Sequence, residues 1–385
     1  MKSNYKRLGD YIREVNNRNT ELRVTNLLGI NIDKFFMPSV ANVVGTDMTS
    51  YKIVKMGQFA CNRMHVGRDQ RLPVALSRDP NDFLVSPAYN VFEVIDLNAL
   101  LPEYLMMWFS RREFDRNAWF YTDADVRGGL NWKDFCNMEL PVPDIAKQRE
   151  IVKEYNVLVN RIALNNQLNQ KLEETIQTIY KQWFIDVEND NWDIKTLNDL
   201  CALITDGKHG DCENQLNSGY YFLSAKDLRD NTLIFDGARQ ITKKDFEETH
   251  RRTNLKPRDI CMVSTGATIG RMSIAPDIIS TFNSTFQKSV AILKPKSNVT
   301  TSYYLYCLLR NEIKEIIDLS SGTSQPNLLL GDLKKYRIKY ADHKKIVAFE
   351  NKISSIFKIQ YLKTIENNFL NKSKELLLSK LVKTN

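Results

Sequence analysis

Two stretches of this chain read as long helices, and their placement constrains everything between them. Residues 144–184 and about 343–382 contain neither glycine nor proline. Apolar residues recur there every three or four positions: Ile151, Tyr155, Leu158, Ile162, Leu168, Leu172, Ile176, Ile179 and Trp183 in the first, and Ile346, Phe349, Ile353, Ile356, Ile365, Phe369 and Leu377 in the second. A helix of about 40 residues is roughly 60 Å long, more than one small domain can cover. A coiled-coil seam between the two is therefore expected, although Asn165 and Asn169 interrupt it. The plainer alternative packs each amphipathic helix on its own domain. Asp144 and Asp342 stand where N-caps belong.

The segments around the helices are written twice. "PEYLMMWF" (102–109) answers "SYYLYCLL" (302–309), with Tyr104 and Leu105 matching Tyr304 and Leu305. "RGGLNWKDF" (127–135) answers the stretch "SSGTSQPNLLLGDL" (320–333), and Asp134-Phe135 meets Asp332-Leu333. "LPVPDIAKQREIV" (140–152) parallels "IKYADHKKIV" (338–347). Upstream, residues 55–63 align with 256–264, and 86–94 with 284–292, whereas 62–85 and 264–283 share almost nothing. A common frame with divergent inserts suggests two copies doing one job on different targets. The domain reading is 1–143, a first globular domain; 144–186, a central helix; 187–341, a second domain; and 342–385, a terminal helix. A second helix paired with the first must run back along it, so the pair is antiparallel and the chain acquires an approximate internal two-fold.

Short β-branched and aromatic runs mixed with turns and short helices make the globular parts mixed α/β. No apolar run is long enough to span a membrane. The six cysteines form no CxxC pair, and the four histidines fall in no metal-binding spacing. A cytoplasmic protein with reduced thiols is expected. The net charge of +8 favours a polyanionic partner. That surplus lies wholly beyond residue 190, so a uniform basic coat is excluded.

Catalytic signatures are missing. No Pro-Pro dipeptide occurs, which removes the loop of amino-methyltransferases, and no GxxxxGK[ST] phosphate loop is present. Pro276-Asp277 with Glu312-Ile-Lys314 matches a nuclease pattern formally, but the latter pair lies on the polar side of an apolar-periodic helix. Arginine does cluster in the first-half insert, at Arg63, Arg68 and Arg71 with His65, and again at Arg111, Arg112, Arg116 and Arg127. Arginine forks match guanine edges and phosphates. In the second half Lys208 and His209 occupy a Gly-flanked loop, and Lys226, Thr265 and Arg271 follow. Asn283 and Gln287 have the amides that pair with adenine edges. The DNA-contact candidates are thus Arg63, His65, Arg68, Arg71, Arg127, Lys208, His209, Lys226, Thr265, Arg271, Asn283, Gln287, Ser324 and Gln325.

Five motifs in order, "CNRMHVGR…LVSPAYNVF" (61–92), "VRGGLNWKDF" (126–135), "PDIAKQREIV" (143–152), "LKPRDICMVSTGATIGR" (255–271) and "SSGTSQPNL" (320–328), resemble the specificity subunit of type I restriction-modification enzymes. The resemblance implies two target-recognition domains that each read half of a bipartite, asymmetric site on double-stranded DNA. It implies two long helices that set the gap and dock two methyltransferase subunits, with restriction/translocase subunits completing the assembly. This chain would hold no cofactor and catalyse nothing. S-adenosylmethionine, ATP and Mg would belong to the partners. Gly322 and Pro326 would set the turn that returns from the second recognition domain, and Asn327 would hold it. Arg127-Gly128-Gly129 replaces Thr-Ser-Gln-Pro in the first repeat, which sets Ser324 and Gln325 apart from any first-half equivalent. A methyltransferase-only or other defence assembly is the nearest alternative, and a coiled-coil protein-binding scaffold is the alternative of another class.

Overall fold

The computed structural model describes residues 5–39, 45–64, 66–122, 128–187, 192–229, 232–322 and 326–381. The chain divides into two compact units, Met1–Ala163 with Asn368–Asn385, and Leu164–Asn367. The two long helices, Ile145–Phe184 and His343–Lys380, each contribute one part to either unit.

In the first unit a four-stranded antiparallel sheet has the order Ile12–Val15, Asn90–Val94, Phe59–Cys61, Val74–Leu76. Phe59 stands opposite Phe92, and their rings stack at 5.0 Å. Helix Pro102–Phe109 starts with proline at its first turn, where the missing N–H costs nothing. It buries Tyr104, Leu105 and Phe109 against the sheet, and the Tyr104 hydroxyl donates to the Pro141 carbonyl at 3.1 Å. Helix Arg112–Phe120 follows, and helix Trp132–Asn137 adds Phe135 to the aromatic cluster. Full burial of each such ring contributes about 1.5–3 kcal/mol. Strand Tyr5–Arg7 pairs with Glu139–Pro141 and closes the unit beside the first long helix. Asp144 caps that helix by accepting from the Lys147 N–H at 2.9 Å, as its position in the sequence suggests.

The second unit repeats this plan strand for strand. Its sheet has the order Cys201–Asp206, Val290–Pro295, Ile260–Val263, Met272–Ile274. Helices Ser302–Asn311 and Ile313–Asp318, helix Leu330–Lys335 and the pair Asp193–Thr196 with Arg337–Tyr340 occupy the corresponding places. The duplication read from Tyr104/Leu105 and Tyr304/Leu305 is therefore structural, since all four are core residues of matching helices.

Two alignments need correction. With Phe59 matched to Ile260, the sheet registers make Phe92 the counterpart of Leu293, because Phe92 faces Phe59 and Leu293 faces Ile260. Pairing 86–94 with 284–292 is three residues out of step. Both strands are buried on both faces, so hydrophobic alternation gives no register. Residues 62–85 and 264–283 also share more than their sequences suggest, since each carries the edge strand of its sheet. The divergence that matters lies in the two connections that flank the middle strands of each frame, between its first and second strands and between its third and fourth in chain order. There the first unit pairs Lys52–Val54 antiparallel with Phe83–Val85, whereas the second pairs Tyr221–Leu223 parallel with Ser284–Phe286 and adds helix Lys243–Thr253.

Within the second unit the long helices run antiparallel. Tyr180 and Phe184 of one meet Phe349 of the other at 5.9 and 5.0 Å between ring centres. Ile176, Ile346, Ile353 and Phe357 join them in the main core. Farther from that core the seam becomes polar. The Asn165 amide donates to Asn367 Oδ1 at 2.9 Å, that of Asn169 to Thr364 Oγ1 at 3.3 Å, and that of Gln360 to the Asn169 carbonyl at 3.1 Å. Asn165 and Asn169 thus do not interrupt the seam but form it, while Leu168 and Phe369 of the expected apolar set are exposed. In the first unit Ile151 and Val152 share a core with Leu378 and Leu381. Both expectations for the helices are partly met: apolar ends pack into domain cores, and a paired polar stretch follows.

Candidate nucleic-acid interface

The topology brings distant loops to one end of each four-stranded sheet. In the second unit Asp206, Val263, Met272 and Val290 all lie at that end, because Asp206 faces Ala291, Val263 faces Val290, and Met262 faces Met272. The loops leaving it carry Lys208 and His209, Thr265 through Arg271, and Gln287 through Ser289. The return segment after Gly322 closes on the same place. The Gly266 N–H donates to the Pro326 carbonyl at 2.9 Å, the Leu328 N–H to the Ser264 carbonyl at 2.8 Å, and the Thr265 hydroxyl to Asn327 Oδ1 at 2.7 Å. Asn327 also exchanges backbone bonds with Ser321 at 2.9 and 3.1 Å, and Gly322 has φ +97°. Asn327 thereby fastens the return segment to the loop after Val263. Ser324 and Gln325 lie outside the described residues.

Close backbone approach is what brings Lys208 to Gln287. The Lys208 N–H donates to the Phe286 carbonyl at 2.8 Å, and the Lys288 N–H to the Lys208 carbonyl at 3.1 Å. A Cβ on Gly207 would stand 1.9 Å from the Phe286 carbonyl oxygen, so only glycine fits there. The Lys208 ammonium lies 3.3 Å from Asp245 and 3.7 Å from Glu248, and is four-fifths buried. His209 lies 3.1 Å from Asp206. Asp245 also accepts the Glu213 N–H at 2.6 Å, and this bond, ahead of Lys208, holds its carboxyl below the ordinary carboxylate range. Arg271 is half-buried and donates to the Leu228 carbonyl at 3.3 Å. Lys226 is exposed in the turn after Tyr221–Leu223, the end at which the Gln287 N–H meets the Leu223 carbonyl at 2.9 Å. Asn283 stands apart, at the other end of strand Ser284–Phe286, where its carbonyl accepts from the Tyr221 N–H at 2.8 Å.

The first unit presents the same end with different chemistry. Arg63 follows the strand corresponding to Ile260–Val263 and takes the place of Ser264. Its carbonyl accepts from the Leu130 N–H at 3.0 Å, the bond that Ser264 makes with Leu328. Its guanidinium faces inward, donating to Asn90 Oδ1 at 2.9 Å and to the Leu130 carbonyl, 5.6 Å above the Trp132 ring. Arg63 is thereby a brace of the return segment. The Gly67 N–H donates to the Gly128 carbonyl at 2.7 Å, and a Cβ on either glycine would meet the other's Cα at 2.7 Å. Arg68 is exposed and pairs with Asp69 at 2.7 Å. Arg71 bonds Asp33 at 2.9 Å and lies 3.7 Å from Asp115. His65 and Arg127 lie outside the described residues.

Sequence reasoning missed the groups that shape these loops. Asp245 pins Lys208, and Arg239 ties Asp211 at 2.6 Å and the Cys212 carbonyl to the segment that leads into helix Lys243–Thr253. Lys288 is exposed at the centre of the sheet end. Only its neighbours Gln287 and Ser289, in a polar break between two apolar strands, could have signalled it. Glu312 of the formal nuclease match accepts from the Tyr336 hydroxyl and the Asn311 amide, both at 2.8 Å, so it serves the helix junction. Burial pushes the thiols of Cys61 and Cys201 up to about 12, which makes them poor nucleophiles. Among the described residues no group of three His, Cys, Asp or Glu side chains is placed to hold a metal, and no helix is long and apolar enough to cross a membrane.

Comparison with known proteins bears on the whole chain. A family model described as the type I restriction modification DNA specificity domain matches residues 74–174 and 189–378. The type I restriction enzyme HindI specificity subunit of Haemophilus influenzae is 23% identical over 462 aligned positions, spanning 97% of each chain. The MjaIX specificity subunit of Methanocaldococcus jannaschii is 23% identical over 320, covering 75% of this chain and 70% of the relative. The solved S subunit of a type I restriction-modification system from M. genitalium superposes with a TM-score of 0.58 at 14% identity, over 98% of this chain and 95% of that one. This last likeness is one of fold.

Proposed function

Since the chain belongs to the type I restriction-modification specificity subunits, we propose that it reads a bipartite, asymmetric site on double-stranded DNA, one half with each unit. One observation carries this reading: a single frame occurs twice, and the same sheet end in each copy displays loops of different make. The first unit offers Arg68 and Arg71, the second Lys208, His209, Gln287 and Lys288. Two different readers on one chain suit two different half-sites.

In this proposal Gln287 is a base-edge reader, and each well-formed bidentate pair discriminates by about 1–3 kcal/mol. Lys288, Lys226 and Arg68 are the exposed cations, placed to contact phosphates and to set salt dependence. Lys208, held by Asp245, fixes the loop that presents His209, and Arg63 holds the return segment of the first unit. The domains are taken as residues 1–143 and 187–341, with 144–186 and 342–385 as the helices that fix the gap and dock two methyltransferase subunits. Half-sites on one DNA face lie about 34 Å apart, one helical turn. Methyl transfer and cleavage belong to the methyltransferase and restriction/translocase partners, which bring S-adenosylmethionine, ATP and Mg; this chain specifies and does not catalyse.

The test is a genome-wide map of N6-methyladenine in a methylation-free host expressing this chain with its methyltransferase partner. The expected result is one bipartite motif with a fixed internal gap. A complex that forms yet leaves no new methylation would refute the reading.

A further inference from the structure

A cavity of about 1030 Å³ opens in the first unit where helix Arg112–Phe120 begins beside the end of the second long helix. Its wall carries six cations, Lys34, Arg71, Arg111, Arg112, Arg116 and Lys374, against four carboxylates. The four carboxylates pair with cations of the same wall and leave a formal surplus of two positive charges. Asp115 is engaged by Lys34 at 2.7 Å and by the Leu72 N–H at 3.1 Å, and Asp33 by Arg71 at 2.9 Å. Glu375 meets Arg112 only at 3.4 Å, and Glu113 is shared between Arg111 at 3.4 Å and Arg116 at 3.5 Å.

Arg111 is the anomaly. Its side chain is 4% exposed and lies 4.4 Å over the Trp108 ring, and its Nε has no acceptor among the described residues. Among the described residues Glu113, half exposed, is its one carboxylate partner. A buried guanidinium with so little compensation is costly, and burial accordingly lowers its proton affinity. Arg111 is also the N-cap of the nine-residue helix Arg112–Phe120 and gives it no side-chain cap. The helix's first N–H groups and its positive dipole end therefore face the same corner. In the second unit the corresponding N-cap is Glu312, a carboxylate held by the Tyr336 hydroxyl and Asn311. The second unit thus has a carboxylate at the N-cap itself, whereas the first unit has a cation there beside the cavity, with Glu113 and Asp115 two and four residues farther along.

We propose that the Arg111 corner is an oxyanion site that takes a phosphate group from a ligand. Arg112 and Arg116, both mostly exposed, are the entry cations, and Arg111 and the helix N-terminus are the inner donors. The site shares Arg71 with the first unit's sheet end but does not rest on how that end reads DNA.

The experiment titrates the full-length chain with inorganic phosphate, following Trp fluorescence beneath Arg111 and the thermal midpoint, against sodium chloride at matched ionic strength. Saturable changes with phosphate alone are expected. The double variant R112Q/R116Q, altered only at exposed positions, should bind phosphate at least about tenfold more weakly, and R111Q, where it folds, should abolish binding. Competition by a mononucleotide would assign the phosphate to a free nucleotide, and protection only by duplex DNA would assign it to the backbone. A phosphate response equal to that of chloride, or undiminished in R112Q/R116Q, would overturn the proposal.

Discussion

Substituting Gly207 by alanine tests how the second sheet end is built. The added Cβ would stand 1.9 Å from the Phe286 carbonyl oxygen and 2.5 Å from that of Gln287. Both obstacles are backbone, so the loop must retreat rather than a side chain turn away. Such overpacking costs about 1–3 kcal/mol, and the Lys208 N–H bond to Phe286, 2.8 Å long, is lost for about 0.5–1.5 kcal/mol more. A local loss of about 2–4 kcal/mol corresponds to roughly 30- to 900-fold faster amide exchange at Lys208 and Lys288. Hydrogen exchange is the right assay, because a chain of two units does not unfold in one step. Gly331 is the control: it lies in helix Leu330–Lys335, and an added Cβ meets nothing within 4 Å. G331A should be neutral or stabilise by about 0.5–1 kcal/mol. Exchange at Lys208 in G207A within about threefold of the parent chain would refute the close-approach argument.

Arg63 and Arg68 should behave oppositely despite their proximity in sequence. R63M removes bonds to Asn90 and Leu130 and is expected to destabilise the first unit by about 1.5–3 kcal/mol in denaturant melts, whereas R68A leaves stability unchanged and lowers the salt slope of DNA binding by about one. In the helix pair, a double-mutant cycle between Asn165 and Asn367 should return a coupling of about 0.5–1.5 kcal/mol for their 2.9 Å bond; a coupling of zero would make the polar layer incidental. Removing about seven residues, a whole heptad, from each long helix keeps the seam facing its partner and should change the gap in the methylated motif while leaving both half-sites intact. Altered half-sites with an unchanged gap would remove the helices from that role.

What the sequence disclosed depended on whether a signal was local. Tyr104 with Leu105 and Tyr304 with Leu305 announce the repeat because each pair fills the same place in its core. The long helices declare themselves through periodicity and the lack of breakers. The register between Phe92 and Leu293 stayed hidden, since strands buried on both faces carry no alternation to align. Arg63 reads locally as one basic residue in an exposed cluster. Its brace is the carbonyl of Leu130, brought to it only by the fold. Asn165 and Asn169 look like defects until Asn367, Thr364 and Gln360 stand opposite them. Arg111 is the same kind of case: its burial follows from Trp108 one turn earlier, but the weakness of its compensation is visible only in three dimensions.

The most direct test of two readers on one chain is a methylation map of a hybrid. Residues 1–143 would be replaced by the matching segment of a specificity subunit of different target, and the hybrid expressed with the same methyltransferase in a methylation-free host. One half of the motif should change to the donor's, while the other half and the gap remain. If both halves change together, or neither does, the division of recognition between the two units is wrong.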